Sequence, residues 1–316
     1  MHRIPLSIAL LLSAPGTLLA QQTRVVHPYS HDSLRGSYRS YEPVGKAVGL
    51  LVLLPGGAAS QDEFQPDGST PSTLPRQLSE QQIVTIVPSS EGFPDAWLDD
   101  RYLKHLDRIV AETLTTHHIP KARVIVAGFS GGGTTAVRFA EFCAAGRSAI
   151  RISIRGIFAV DAPLDLTRLW RGETLAVQRG ADPRYVAEAK FLLAQMREIL
   201  GGSPETHPAR YRATSPFSAF AQGGGQARRL AQTPIRLYTE PDIQWWMTNR
   251  KVDYYNMNAV DAAGLILQLQ LLGNPKAELI TTRGRGFRPD GSRHPHSWSI
   301  VDETELKAWI LGQLKS

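Results

Sequence analysis

Alternating apolar strands and amphipathic helices along most of the chain predict an α/β domain, with a mostly parallel central sheet and helices on both faces. Three stretches carry this reading. Residues 48–54 form an unbroken apolar run, the pattern of a strand buried on both faces. Residues 99–118 place Leu103, Leu106, Ile109, Val110 and Leu114 at helical spacing, and Pro120 ends the run. A second apolar strand then runs from Val124 straight into a glycine-rich turn and another helical pattern. A length of 316 residues with 42% hydrophobic content suits one large α/β domain or two smaller ones. Thirty-five Lys and Arg against 29 Asp and Glu give a net charge of +6. No dense basic run with interleaved aromatics accompanies that excess, so it reads as a solvated surface, not a nucleic-acid interface.

In chain order, Met1-His2-Arg3 is a short basic start and residues 4–12 are mostly apolar. Ser13 to Gly16 break the run, and Leu18-Leu19-Ala20 precedes Gln21. This predicts a signal peptide over residues 1–20, cut after Ala20, and a secreted or periplasmic mature chain. The apolar run is too short to span a bilayer, and no later stretch is a candidate, so no stable membrane insertion is expected. The single cysteine, Cys143, excludes an intrachain disulfide and falls on the apolar side of a helix, where an inert core role is expected. An edge strand is expected over residues 36–41, a weak helix over 74–81, strands over 83–87 and 157–160, and a helix over 183–200. Further strands are expected over 235–238 and 277–282, with helices over 260–272 and 303–314.

The glycine-rich turn is Gly128-Phe129-Ser130-Gly131-Gly132, set between a buried strand and a helix carrying Val137, Phe139, Ala140 and Phe142. A serine on a sharp strand-to-helix turn needs neighbours without side chains, and the first helical amides point at whatever its hydroxyl attacks. The pattern resembles the nucleophile elbow of α/β-hydrolases and implies their fold, with Ser130 as nucleophile. That resemblance implies an oxyanion hole from the amides of Gly131 and Gly57, with Ala58 as the alternative to Gly57 after the strand ending in Pro55. About seventy residues separate Asp161 from the next strand, far more than an ordinary connection. They predict a lid over residues 164–231 packed above the strand ends. Within and after it, Gly201-Gly202-Ser203-Pro204-Glu205, Tyr211 to Pro216 and Pro234 to Tyr238 resemble the matching stretch of prolyl-oligopeptidase-type serine peptidases.

Three carboxylates follow apolar strands: Asp161, Glu240 and Asp242. The resemblance places the catalytic acid at Asp242, in Thr239-Glu240-Pro241-Asp242. Asp161 stays an alternative, because some α/β-hydrolases carry their acid one strand earlier, and Glu240 is a third. The base belongs between the last strand and the last helix, where Arg293-His294-Pro295-His296-Ser297-Trp298 lies. His296 leads directly into the terminal segment, as in the family, and His294 is the alternative. The order serine, acid, histidine is the hydrolase order. A metal site at the two histidines lacks a third ligand group, so no metal is expected, and acyl transfer through a covalent serine intermediate needs no cofactor. The expected substrate is a small-molecule ester or a peptide. An esterase is favoured, because peptidases of the resembling family carry a large N-terminal propeller for which this chain has too few residues. A small serine peptidase is the alternative. A hydrolase fold turned binding protein is the reading from another class; its usual sign is a lost nucleophile or histidine, and both are present.

Overall fold

The computed structural model describes residues 22–26, 38–57, 65–90, 92–93 and 95–315. The expected signal peptide and Ala58 lie outside the described residues. Eight strands form one sheet in the order β1-β2-β4-β3-β5-β6-β7-β8. These are β1 (Gln22–Val26), β2 (Tyr38–Glu42), β3 (Gly49–Leu54), β4 (Ile83–Pro88), β5 (Val124–Phe129), β6 (Ile154–Val160), β7 (Ile235–Thr239) and β8 (Ala277–Thr281). β2 pairs antiparallel with both β1 and β4, and every pairing from β4 through β8 is parallel.

The unbroken apolar run of β3 has the role its composition demands. Its side chains alternate between two layers, Leu50, Val52 and Leu54 on one face and Leu51 and Leu53 on the other. The first face packs against α2 (Asp100–Thr116), α3 (Gly131–Ala144) and α8 (Asn258–Leu271) through residues such as Leu106, Ile109, Phe139 and Leu265. The second packs against α1 (Leu74–Ser79) and α9 (Glu303–Lys315) through Leu74, Leu78, Leu306 and Ile310. Cys143 is a buried free thiol in the first layer, and burial pushes it well above its ordinary titration range. Among the described residues no helix is long and apolar enough to cross a membrane.

The long segment between β6 and β7 holds α4 (Leu166–Arg179), α5 (Pro183–Leu200) and α6 (Pro208–Thr214). The 183–200 helix is where the sequence places it, while α4 and α6 were not anticipated. α4 carries clear end signals: the Asp165 carboxylate accepts from the amides of Thr167 and Arg168, and Gly180 closes the helix at φ 66°. Leu169, Trp170, Met196, Leu200 and Tyr211 tie these helices into a small core of their own. The Gly201–Gly202 turn and Tyr211 meet there, since the Tyr211 hydroxyl donates to the Gly202 carbonyl at 2.9 Å.

Candidate active site

Ser130 sits between β5 and α3 with φ 52° and ψ −126°, a conformation that costs energy for any residue with a side chain. The neighbouring glycines make it possible. A Cβ on Gly128 would lie 2.3 Å from the Gly132 carbonyl carbon, and one on Gly132 would lie 2.3 Å from the Leu54 carbonyl oxygen. The turn is pinned by the Ser130 amide donating to the Val160 carbonyl at 2.9 Å, which ties it to β6. Gly131 is the first residue of α3, so its amide has no partner within the helix and is presented beside the hydroxyl. Gly57 lines the same cavity, and the Gly56 amide before it is committed to the Pro66 carbonyl at 2.8 Å.

His296 stands on the loop between β8 and α9. Its Nε2 is 3.1 Å from the Ser130 hydroxyl, and its Nδ1 is 2.6 Å from Asp161 Oδ2. The ring packs on Phe129, with centroids 4.6 Å apart. The loop is anchored just past the histidine, where Asp67 accepts from the Ser297 hydroxyl and the Trp298 amide, both at 2.7 Å. Burial works against the Asp67 charge, but these bonds and those from Ser69 and Thr70 hold its carboxyl down at about 2, so it stays ionised. Burial also works to lower the pKa of His296. The charge and hydrogen bond of Asp161 outweigh it and hold the imidazole above its ordinary value of 6.5.

The partner of His296 is therefore Asp161, and the expected assignment of Asp242 is corrected. Asp161 directly follows β6, the neighbour of β5 in the sheet, and adopts φ 44°. That left-handed backbone carries the carboxylate to His296 before Pro163 leads the chain into the long segment between β6 and β7. Asp242 instead caps α7 (Ile243–Asn249) by accepting from the Trp245 amide at 3.0 Å, and it is ion-paired with Arg293. Burial opposes its charge, but the Trp245 amide and Arg293 hold it below the usual carboxylate range. Glu240 is saturated as well: Thr282 donates at 2.6 Å, and the Gly284 amide and Arg293 at 2.7 Å each. These two carboxylates fasten the loop that carries His296 and do not touch its ring. Sequence reasoning had no sight of Arg293 as their partner, although it stands only three residues before His296.

His294, the alternative base, is a scaffold. Arg250 donates to its Nε2 at 3.0 Å, so its proton lies on Nδ1, which donates to the His296 carbonyl at 3.0 Å. Burial and the nearby charges of His296, Arg288 and Arg250 push it down to about 3, which keeps it neutral. It packs edge-on against Trp245, with centroids 4.8 Å apart.

Ser130 opens onto a cavity of about 570 Å³ at the C-terminal ends of the parallel strands. Part of its lining comes from the long segment between β6 and β7, with Leu169 and Glu173 on α4 and Tyr185, Phe191 and Leu192 on α5. Glu173 is buried there, accepts from the Tyr185 hydroxyl at 3.0 Å, and is pushed by burial up to about 7.

A sequence model of the Alpha/beta hydrolase family matches residues 51–302, which spans the whole site. The chain belongs to this family. Solved structures agree on the hydrolase fold at low identity. MPT51 of Mycobacterium tuberculosis superposes with a TM-score of 0.56 at 14% identity, over 94% of this chain and 99% of that one. A hormone-sensitive lipase from a metagenome library gives 0.54 at 14% identity, over 93% and 86%. The acylaminoacyl peptidase of Pyrococcus horikoshii gives 0.59 at 12% identity; 94% of this hydrolase aligns, but it spans only 42% of the peptidase. No curated protein sequence matches the chain.

Proposed function

We propose that this hydrolase cleaves carboxylic esters through an acyl-enzyme on Ser130, with His296 as base and Asp161 as the acid that orients it. The carrying observation is the continuous contact from the Ser130 hydroxyl through the imidazole to Asp161, at 3.1 and 2.6 Å. A serine hydroxyl is a weak nucleophile at neutral pH, so His296 must take its proton as it attacks. The imidazolium so formed donates that proton to the leaving group, and Asp161 stabilises it meanwhile. The amides of Gly131 and Gly57 face the carbonyl oxygen as it gains charge; losing one such donor costs about 3 kcal/mol of transition-state stabilisation. Water then repeats the cycle and releases the acid. The substrate is a small ester that fits the cavity; a small peptide is the second reading. The predicted signal peptide makes the mature chain secreted or periplasmic.

The test is hydrolysis of p-nitrophenyl esters of graded acyl length beside aminoacyl-anilides. Turnover of esters well above anilides supports the reading, and no turnover of either opposes it. The pH profile carries its own sign. Attack requires neutral His296, so kcat/KM for the good ester rises with pH and levels off above a pKa higher than 6.5. In Asp161→Asn the raising partner is gone, so the residual activity titrates at lower pH. A shared limb in both proteins would assign that titration elsewhere.

The lid wall sets the acyl length accepted. Leu192 is partly buried and lines the cavity from α5. Leu192→Ala opens that wall, and since a methylene is worth roughly 1–3 kcal/mol in an apolar pocket, the preferred acyl chain lengthens by one to three carbons. Unchanged relative rates across the ester series would remove the lid from substrate selection.

A further inference from the structure

The loop between β8 and the catalytic histidine is rich in arginine, and its arginines are used unequally. Arg285 lies 4.0 Å from Asp302, and Arg293 carries both Glu240 and Asp242. Arg288 stands between them in a hairpin closed by the Phe287–Arg293 bridge and by its own amide donating to the Ser292 carbonyl at 2.9 Å. The same hairpin is joined to the base's loop, since the His294 amide donates to the Gly286 carbonyl at 2.7 Å. Arg288 lines the cavity in front of Ser130, and its Nε is buried without a hydrogen-bond partner. Among the described residues, no carboxylate pairs with its guanidinium. The near carboxylate, Asp290, is solvent-exposed and turns to the Ser292 amide at 2.8 Å. A half-buried guanidinium with an orphaned donor, fixed in backbone and facing a cavity, is the arrangement that a planar anion completes.

We propose that Arg288 forms a carboxylate subsite of the active-site cavity, so that the substrate carries a free carboxylate in addition to its scissile ester. The proposal rests on the serine-hydrolase reading above. Arg250 reinforces it from the same wall: it lines the cavity, donates to His294 and reaches Asp182 only at 3.4 Å. The neighbouring carboxylates do not compete. Glu240 is filled by Arg293, Thr282 and Gly284, and Asp161 by His296. Glu173 and Glu188 line the cavity from the lid helices α4 and α5. Glu188 repels a carboxylate from that wall and leaves the arginine wall as its place. The acyl portion thus takes a half-ester of a dicarboxylic acid with the free acid end at Arg288.

The experiment compares p-nitrophenyl half-esters of succinic, glutaric, adipic and suberic acids with the same esters capped by a methyl group. At the best length, kcat/KM for the free acid exceeds that for the capped ester at least tenfold, and added salt lowers this ratio. Arg288→Gln collapses the ratio towards one, while Arg288→Lys keeps part of it. Capped esters cleaved equally well at every length, a ratio that Arg288→Gln does not move, or a preference for esters bearing an amine would each overturn the subsite. A calorimetric titration of the free dicarboxylates into Ser130→Ala protein is independent of turnover. Saturable binding that disappears on adding Arg288→Gln is expected, and no binding at any length overturns the proposal. If no ester is turned over and a fluorophosphonate leaves Ser130 unlabelled, the hydrolase reading fails by itself, and the titration still decides the subsite.

Discussion

A serine-directed fluorophosphonate labels the protein once, at Ser130, and Ser130→Ala abolishes both the label and ester turnover. The loss expected is about 10⁵–10⁶-fold in kcat, the scale seen when a serine nucleophile is removed from a histidine-activated site. Ser130 is both the hydroxyl that His296 Nε2 reaches at 3.1 Å and the residue held at φ 52° by the turn. The substitution relieves no packing and opens no cavity, so the variant keeps its fold and its thermal midpoint. Mass spectrometry of the labelled peptide, with circular dichroism of the variant, checks this. Normal hydrolysis by folded Ser130→Ala would end the proposed mechanism.

The second large effect separates the carboxylates. Asp161→Asn lowers kcat by about 10⁴-fold, because an amide at Nδ1 favours the tautomer that cannot accept the serine proton. Asp242→Asn leaves kcat within a few-fold. Asparagine caps a helix about as well as aspartate, and Arg293 retains Glu240, so the stability change stays near 1 kcal/mol or below. Side-by-side kcat values and thermal midpoints for the two variants decide the assignment. A large loss in Asp242→Asn with near-normal Asp161→Asn would reverse it.

The elbow was legible in the sequence because its chemistry is local. Gly128 and Gly132 are required by atoms a few residues away or in the adjacent strand, and a glycine spacing records that requirement directly. His296 was legible because the order of elements confines it to the connection between β8 and α9. The acid was not. Carboxylates follow both β6 and β7, and nothing in their immediate neighbours says which meets the imidazole. The deciding facts are the left-handed backbone at Asp161 and the claim of Arg293 on Glu240 and Asp242. Both depend on contacts more than fifty residues apart along the chain. Helix α4 was missed for a different reason. Its buried face holds Arg168, Gly172 and Glu173 beside Leu166, Leu169 and Trp170, so the inward stripe does not read as a plain apolar one.

Under the proposed mechanism, the placement of the acid also constrains how this protein can change. Residues 161–165 both carry the carboxylate that meets His296 and open the long segment between β6 and β7. The Asp161 carbonyl accepts from Asn258 at 2.9 Å, and the Pro163 carbonyl accepts from Thr134 at 2.6 Å. The Leu164 and Asp165 amides both donate to Asp261, which also holds Arg168 of α4. A hydrolase with its acid after β7 can exchange the whole insertion between β6 and β7 without touching its catalytic groups. Here such a graft would carry the orienting carboxylate's own support away with it. Within the excursion, change towards new substrates is thereby left to α5 and the outward turns of α4, while its first five residues stay as fixed as the elbow itself.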